Sequence, residues 1–168
     1  GLLAIRPREG CPEGGATLDS LLPRGLTGLA RAPVGRSFRG GLGEVGWEDA
    51  VALLPTAPTG RGTPAPRDSA GACLEDPWNW GDPGDPEAPC GGHRPWHAAT
   101  GDVRVEGGSG QGVLVALGDV DLAGSRFDGV VLARGDVHIT GGAEVRGMVL
   151  AGGALTLDAT SRVEGSAC

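Results

Sequence analysis

From residue 101 onward the chain repeats a fixed order of apolar and polar positions. GDVRVEGGSGQ begins at Gly101, GDVDLAGSRFD at Gly118 and GDVHITGGAEV at Gly135, each 17 residues after the last. A looser unit, GGALTLDATSRVEG, begins at Gly152, another 17 on. A period this short is below domain size. It matches one coil of a β-solenoid, in which each coil covers the apolar side of its neighbour.

Two strand types alternate within the unit. The first (VRV, VDL and VHI) follows the GD pair and alternates strictly. Val103, Val105, Val120, Leu122, Val137 and Ile139 are expected inside, with Arg104, Asp121 and His138 outside. The second (GVLVA at 112–116, GVVLA at 129–133, GMVLA at 147–151) is apolar on both faces and is expected to be buried on both. One flank of the solenoid must then be covered, by residues 1–60 or by a partner. The docking face is assigned to Leu114, Val131, Val149, Ala116, Ala133 and Ala151, or to the residues alternating with them. On that assignment, Val131→Asp should unfold a domain whose flank is covered within the chain. Gly107, Gly124 and Gly141 also recur at 17 and mark corners. In the last coils the period stretches to 18: Gly147 aligns with Gly165, and Cys168 falls over Leu150.

Upstream the periodicity fades. WEDAVALLP reads as a short helix, with Glu48 and Asp49 in its first turn and Pro55 ending it. Residues 55–72 form a Pro/Thr/Gly/Ala tract read as a loop or linker. CLEDPWNWGDPGDPEAPC (73–90) reads as a loop that packs its own tryptophans. The expected fold is all-β: a short β-solenoid of about four coils of 17–18 residues, with an irregular, partly helical N-terminal region. Three segments follow: 1–72, irregular with one short helix and the Pro-rich linker; 73–100, a disulfide-closed Trp/Pro cap loop; and 101–168, the solenoid.

Composition narrows the function classes. Lysine and tyrosine are absent and all 14 basic residues are arginine, a bias typical of a very GC-rich bacterial genome. Residues 1–67 hold 8 Arg against 6 acids, and residues 68–168 hold 6 Arg against 15 acids. An acidic solenoid is a poor partner for nucleic acid, which is bound by clustered cations. No apolar run is long enough to span a bilayer, so no membrane contact by this segment is expected. Four cysteines in a chain with little core-forming material favour an oxidising compartment outside the cytosol.

Several side chains are candidates for chemistry. Asp102, Asp119 and Asp136 stack at the GD corner at roughly 5 Å intervals. They form either a calcium ladder or, as preferred here, a set of caps in which each Asp closes its own turn. Cys90, His93 and His97 with Cys73 have spacings that zinc could use, although a Cys73–Cys90 disulfide suits a Gly- and Pro-dense exported loop better. Cys11–Cys168 would be the second bond; four cysteines allow three pairings. Trp78, Trp80 and Trp96 lie beside Asp76, Asp82 and Asp85 and would either stack on sugars or cap the solenoid's open end. His138 stands alone in an outward column, which reads as a solvated histidine. No catalytic constellation is expected, and no cofactor.

The stretch GQGVLVALGDVDLAGSRFDGVV, with SRVEGSAC near the end, resembles the C-terminal β-solenoid of bacterial minor-pilin-like envelope proteins with a PilX-type N-terminal helix. The resemblance covers residues 73–168 and is loose before them. It implies a non-catalytic exported component of a pilus or envelope assembly, at the cell surface or in the periplasm, partnered by other subunits or by itself. A surface adhesin that binds glycan through the Trp loop, or a self-assembling filament subunit, is the alternative. The repeat is also similar to bactofilins, cytoskeletal β-helices. Four cysteines and a long irregular N-terminal segment argue against a cytosolic polymer.

Overall fold

The computed structural model describes residues 46–52, 54 and 60–165. The chain runs through α1 (Trp47–Ala52), β1 (Gly60–Gly62), β2 (Asp68–Ser69), β3 (Ala72–Cys73) and β4 (Trp96–Ala99). Then follow short and long strands in turn: β5 (Val103–Glu106) and β6 (Ser109–Ala116), β7 (Val120–Ala123) and β8 (Arg126–Ala133), β9 (Val137–Thr140) and β10 (Glu144–Ala151), β11 (Leu155–Leu157) and β12 (Arg162–Glu164). The short strands form one five-stranded sheet, β1-β5-β7-β9-β11, and the longer ones a second, β4-β6-β8-β10-β12. All neighbours within these two sheets run parallel. The expected β-solenoid is therefore the fold.

Its first coil begins earlier than the repeat announces. Gly60–Gly62 pairs with Val103–Val105, inside the segment read as linker, and Trp96–Ala99 pairs with Val113–Ala116, inside the segment read as cap. Residues 63–95 are thus an insertion between the two strands of one coil. The next coil covers the equivalent stretch, from Glu106 to Gly112, in seven residues. GRG carries no apolar residue, so nothing in its pattern marks it as a strand; the parallel ladder recruits its backbone, with an exposed Arg61–Glu106 pair at 3.2 Å beside it.

The period follows the register. Val103, Val120 and Val137 align at 17, and Leu155 sits on Val137 at 18. On the second sheet Arg126, Glu144 and Arg162 align at 18. The fourth unit therefore starts at Gly153, one residue later than the motif suggests. Inward residues of both sheets build one lumen: Val103, Val105, Val120, Leu122, Val137 and Ile139 face Leu114, Ala116, Phe127, Val131, Ala133 and Val145. Each strand contributes only two or three apolar side chains, so the core is continuous only because coils stack.

One glycine column is required by geometry. Gly112, Gly129 and Gly147 have φ of 111°, 155° and 141°. A Cβ on Gly129 would run into the Gly112 carbonyl oxygen, and one on Gly147 into that of Gly129.

Candidate functional site

Leu114, Ala116, Val131 and Ala133 lie in the lumen, with Val149 and Ala151 packed against them half-buried. These six residues are therefore not the outer face, and Val131→Asp probes the lumen. Alternation through RFDGVVLA carries the phase: Arg126 and Asp128 are outward and Phe127 inward, so Val131 and Ala133 must follow Phe127 inside. The flank is made by the alternates. Val113, Val115, Val130 and Leu132 are buried under α1, with Met148 and Leu150 half-buried beyond them.

That helix is the predicted one. Trp47, Ala50 and Val51, at i, i+3 and i+4, form the stripe it buries. Six residues are too few for a helix to persist alone, so packing holds it. Trp47 is 1% exposed. Glu48 adds an exposed pair with Arg134 at 2.6 Å, which anchors the helix only weakly. The covered-flank expectation holds for this part of the sheet, and its probe is Leu132→Asp.

The three tryptophans serve two surfaces. Trp96 is half-buried on the flank. Trp80 is 0% exposed and closes the N-terminal end of the lumen. It meets Phe127 edge-on at 5.9 Å and stacks under Trp78 at 5.6 Å. Gly110 makes room for it: a Cβ there would lie 2.8 Å from the Trp80 Cβ. Trp78 in turn lies over Gly62, where a Cβ would collide with its ring. The pair caps the solenoid, and Trp80 offers no face to a sugar.

The cap is held by polar contacts and one cross-link. Cys73 and Cys90 form the expected disulfide. Buried Asn79 donates to the carbonyls of Leu74 and Arg67 at 2.6 and 2.9 Å, drawing the loop around the bond. Buried Gln111 donates to the carbonyls of Gly91 and His93 at 2.7 and 3.0 Å, and its N–H donates to the Trp80 carbonyl at 2.6 Å. The two amide side chains of the sequence thus stitch the insertion to itself and to β6. The zinc alternative is overturned, since both cysteines are bonded to each other. Cys11 and Cys168 lie outside the described residues.

His97 points into the lumen beneath the cap, with its ring 5.4 Å from that of Trp80. Its Nε2 is buried without a hydrogen-bond partner. Burial, with a smaller contribution from the charge of His93, pushes its pKa down to about 4. His93 is half-buried among the insertion residues.

The aspartate column caps, but not in the expected way. Asp102 Oδ1 accepts from the Asp119 N–H at 2.9 Å, Asp119 from the Asp136 N–H at 2.8 Å, and Asp136 from the Ala154 N–H at 2.7 Å. Each carboxylate closes the next coil instead of its own turn. Among the described residues no group of three or more His, Cys, Asp or Glu side chains is arranged to hold a metal ion. His138 Nδ1 lies 2.6 Å from Thr156 Oγ1 on the exposed face, beside the Arg104–Asp121 pair at 2.7 Å.

One constellation escaped sequence reading. On the outward face of the long sheet, Arg126, Glu144 and Arg162 form one column and Asp128, Arg146 and Glu164 the next. Signs alternate along both directions. Arg126 pairs with Asp128 at 2.9 Å and Arg162 with Glu144 at 2.7 Å; Arg146 pairs with both Glu144 and Glu164. Burial opposes ionisation of Glu144, yet hydrogen bonds from Arg162 and Arg146 hold its carboxyl below the usual range. The signal was present in RFD, EVR and RVE, spaced 18 apart with the sign inverted each time.

No helix among the described residues is long and apolar enough to cross a membrane. No family model matches the chain, no curated protein is significantly similar to it, and no solved structure matches it.

Proposed function

We propose that this chain is a non-catalytic structural and interaction module, a pilin-like component of a bacterial surface or envelope assembly, exported and partnered by other subunits. It presents a rigid scaffold to those partners. The residues that chemistry would recruit are engaged in the scaffold: the aspartates cap coils, Trp80 closes the lumen and Cys73 and Cys90 close the cap loop. The observation that carries the reading is the Cys73–Cys90 disulfide. Such bonds persist in oxidising compartments and are rare in the cytosol, and this one clamps the cap on which the lumen depends. The acidic balance of residues 68–168 suits charged protein partners and works against nucleic acid.

Thiol trapping in intact cells of the source bacterium tests it. Cells are quenched with an alkylating agent, fractionated, and the Cys73–Cys90 peptide is mapped without reduction. The expected result is an oxidised pair in the envelope or secreted fraction, with neighbouring subunits recovered after cross-linking. A fully alkylated pair in the cytosolic fraction would overturn the proposal.

A further inference from the structure

The C-terminal end of the solenoid presents two strands, β11 and β12, that have no neighbour on their outer side among the described residues. The lumen opens there. Along the column Val105, Leu122, Ile139 and Leu157, exposure runs 1%, 1%, 0% and then 43%. Free backbone groups on such an edge are a template for another strand.

Hydrogen bonding shows which groups are free. The Arg162 N–H donates to the Ala143 carbonyl, so strand alternation turns the N–H and C=O of Val163 away from β10. The Asp158 N–H donates to the Ile139 carbonyl, which likewise leaves Leu155 and Leu157 facing outward with theirs.

The charges select the partner. Laid antiparallel on a second copy of itself about Val163, RVE sets Arg162 opposite Glu164 and Glu164 opposite Arg162. The hydrogen-bonded pair then falls on Val163, the residue whose groups are free. β11 is self-complementary in the same sense, with Leu155 opposite Leu157 about Thr156. Thr156 and Val163 stand two residues on either side of the Asp158–Ser161 corner, so the two centres of symmetry lie equally far from it along the chain. Parallel addition of a further coil fits less well. The carboxylate ladder Asp102, Asp119, Asp136 ends at Ala154, which has nothing to offer the next coil, and the opposite end of a second copy is closed by Trp78 and Trp80.

We propose that two copies join tail to tail through antiparallel β11–β11 and β12–β12 pairing, giving a closed two-fold dimer with the tryptophan caps pointing outward. This rests on the fold and not on where the protein acts. A closed isologous interface does not propagate, so the product is a dimer and not a filament. One 18-residue coil offers less than the 20–30 residues a side of a standard interface, so a dissociation constant of roughly 10–100 µM is expected.

Sedimentation velocity from about 1 to 500 µM brackets that range. The wild type should pass from monomer to dimer and stop. Arg162→Glu and Glu164→Arg each place like charges opposite one another and should weaken pairing by about tenfold or more. An equimolar mixture of the two should recover dimer, because two acids then face two arginines. Leu157→Asp, at a position already open to solvent, is a second probe and should be monomeric while circular dichroism stays that of the wild type. A wild type that remains monomeric throughout overturns the proposal, as do charge variants that dimerise like the wild type. Growth beyond the dimer also overturns it, in favour of a filament.

Discussion

The two ends of this solenoid carry the same apolar ladders and meet water in opposite ways. At the N-terminal end, residues 63–95 interrupt a coil and lay Trp80 over the lumen, with Trp78 on top and a disulfide behind. At the other end the ladder stops at Leu155, Leu157 and Val163, half-buried or exposed. The repeat supplies the interior and cannot close itself. Closure comes from sequence outside the repeat, which is why the terminal units of such folds are atypical.

The largest difference should appear on truncating a side chain at each end. Trp80→Ala removes a fully buried ring and should cost about 4 kcal/mol in urea unfolding. Leu157→Ala, in the same kind of ladder but 43% exposed, should cost under about 1 kcal/mol. Equal losses would mean that the ends are not different in kind.

Removing the clamp should come next. Replacing both Cys73 and Cys90 with serine frees a loop whose ends are 17 apart in sequence and should cost about 3 kcal/mol. The loss of amide protection should be confined to the insertion, β4 and β6.

His97 makes the capped end sensitive to acid. Its folded pKa is depressed from 6.5 to about 4, so between those values the unfolded chain takes up a proton that the folded one refuses. Stability is fully present above pH 6.5, falls as pH drops toward 4 by up to about 3 kcal/mol, and levels off below. Comparing the wild type with His97→Leu across that window isolates the effect; parallel curves would refute it. The smallest effect is expected at the corner ladder. Asp119→Ala strips one hydrogen bond to the Asp136 N–H and should cost about 1 kcal/mol by thermal unfolding.

Much of this is legible in the sequence. The period, the alternation of VRV, VDL and VHI, the helix at Trp47 and the Cys73–Cys90 bond all follow from spacing and residue type. Three things did not. GRG at Gly60–Gly62 is a strand because a parallel ladder recruits its backbone, and backbone pairing leaves no mark in side-chain pattern. The phase of the long strands is hidden in VVLA, which is apolar at every position; Phe127 between Arg126 and Asp128 is the residue that carries it. The aspartates reach the next coil and not their own turn, a choice set by stacking between units that no single unit contains.

The contrast between the two ends is tested most directly by amide hydrogen exchange of the wild type at about 1 µM, below the concentration at which self-pairing is expected. The account predicts slow exchange for the N–H groups of Val113 and Gln111 beneath the cap, and fast exchange by local fraying for those of Arg162 and Glu164 in β12. Protection in β12 equal to that in β6 would contradict it.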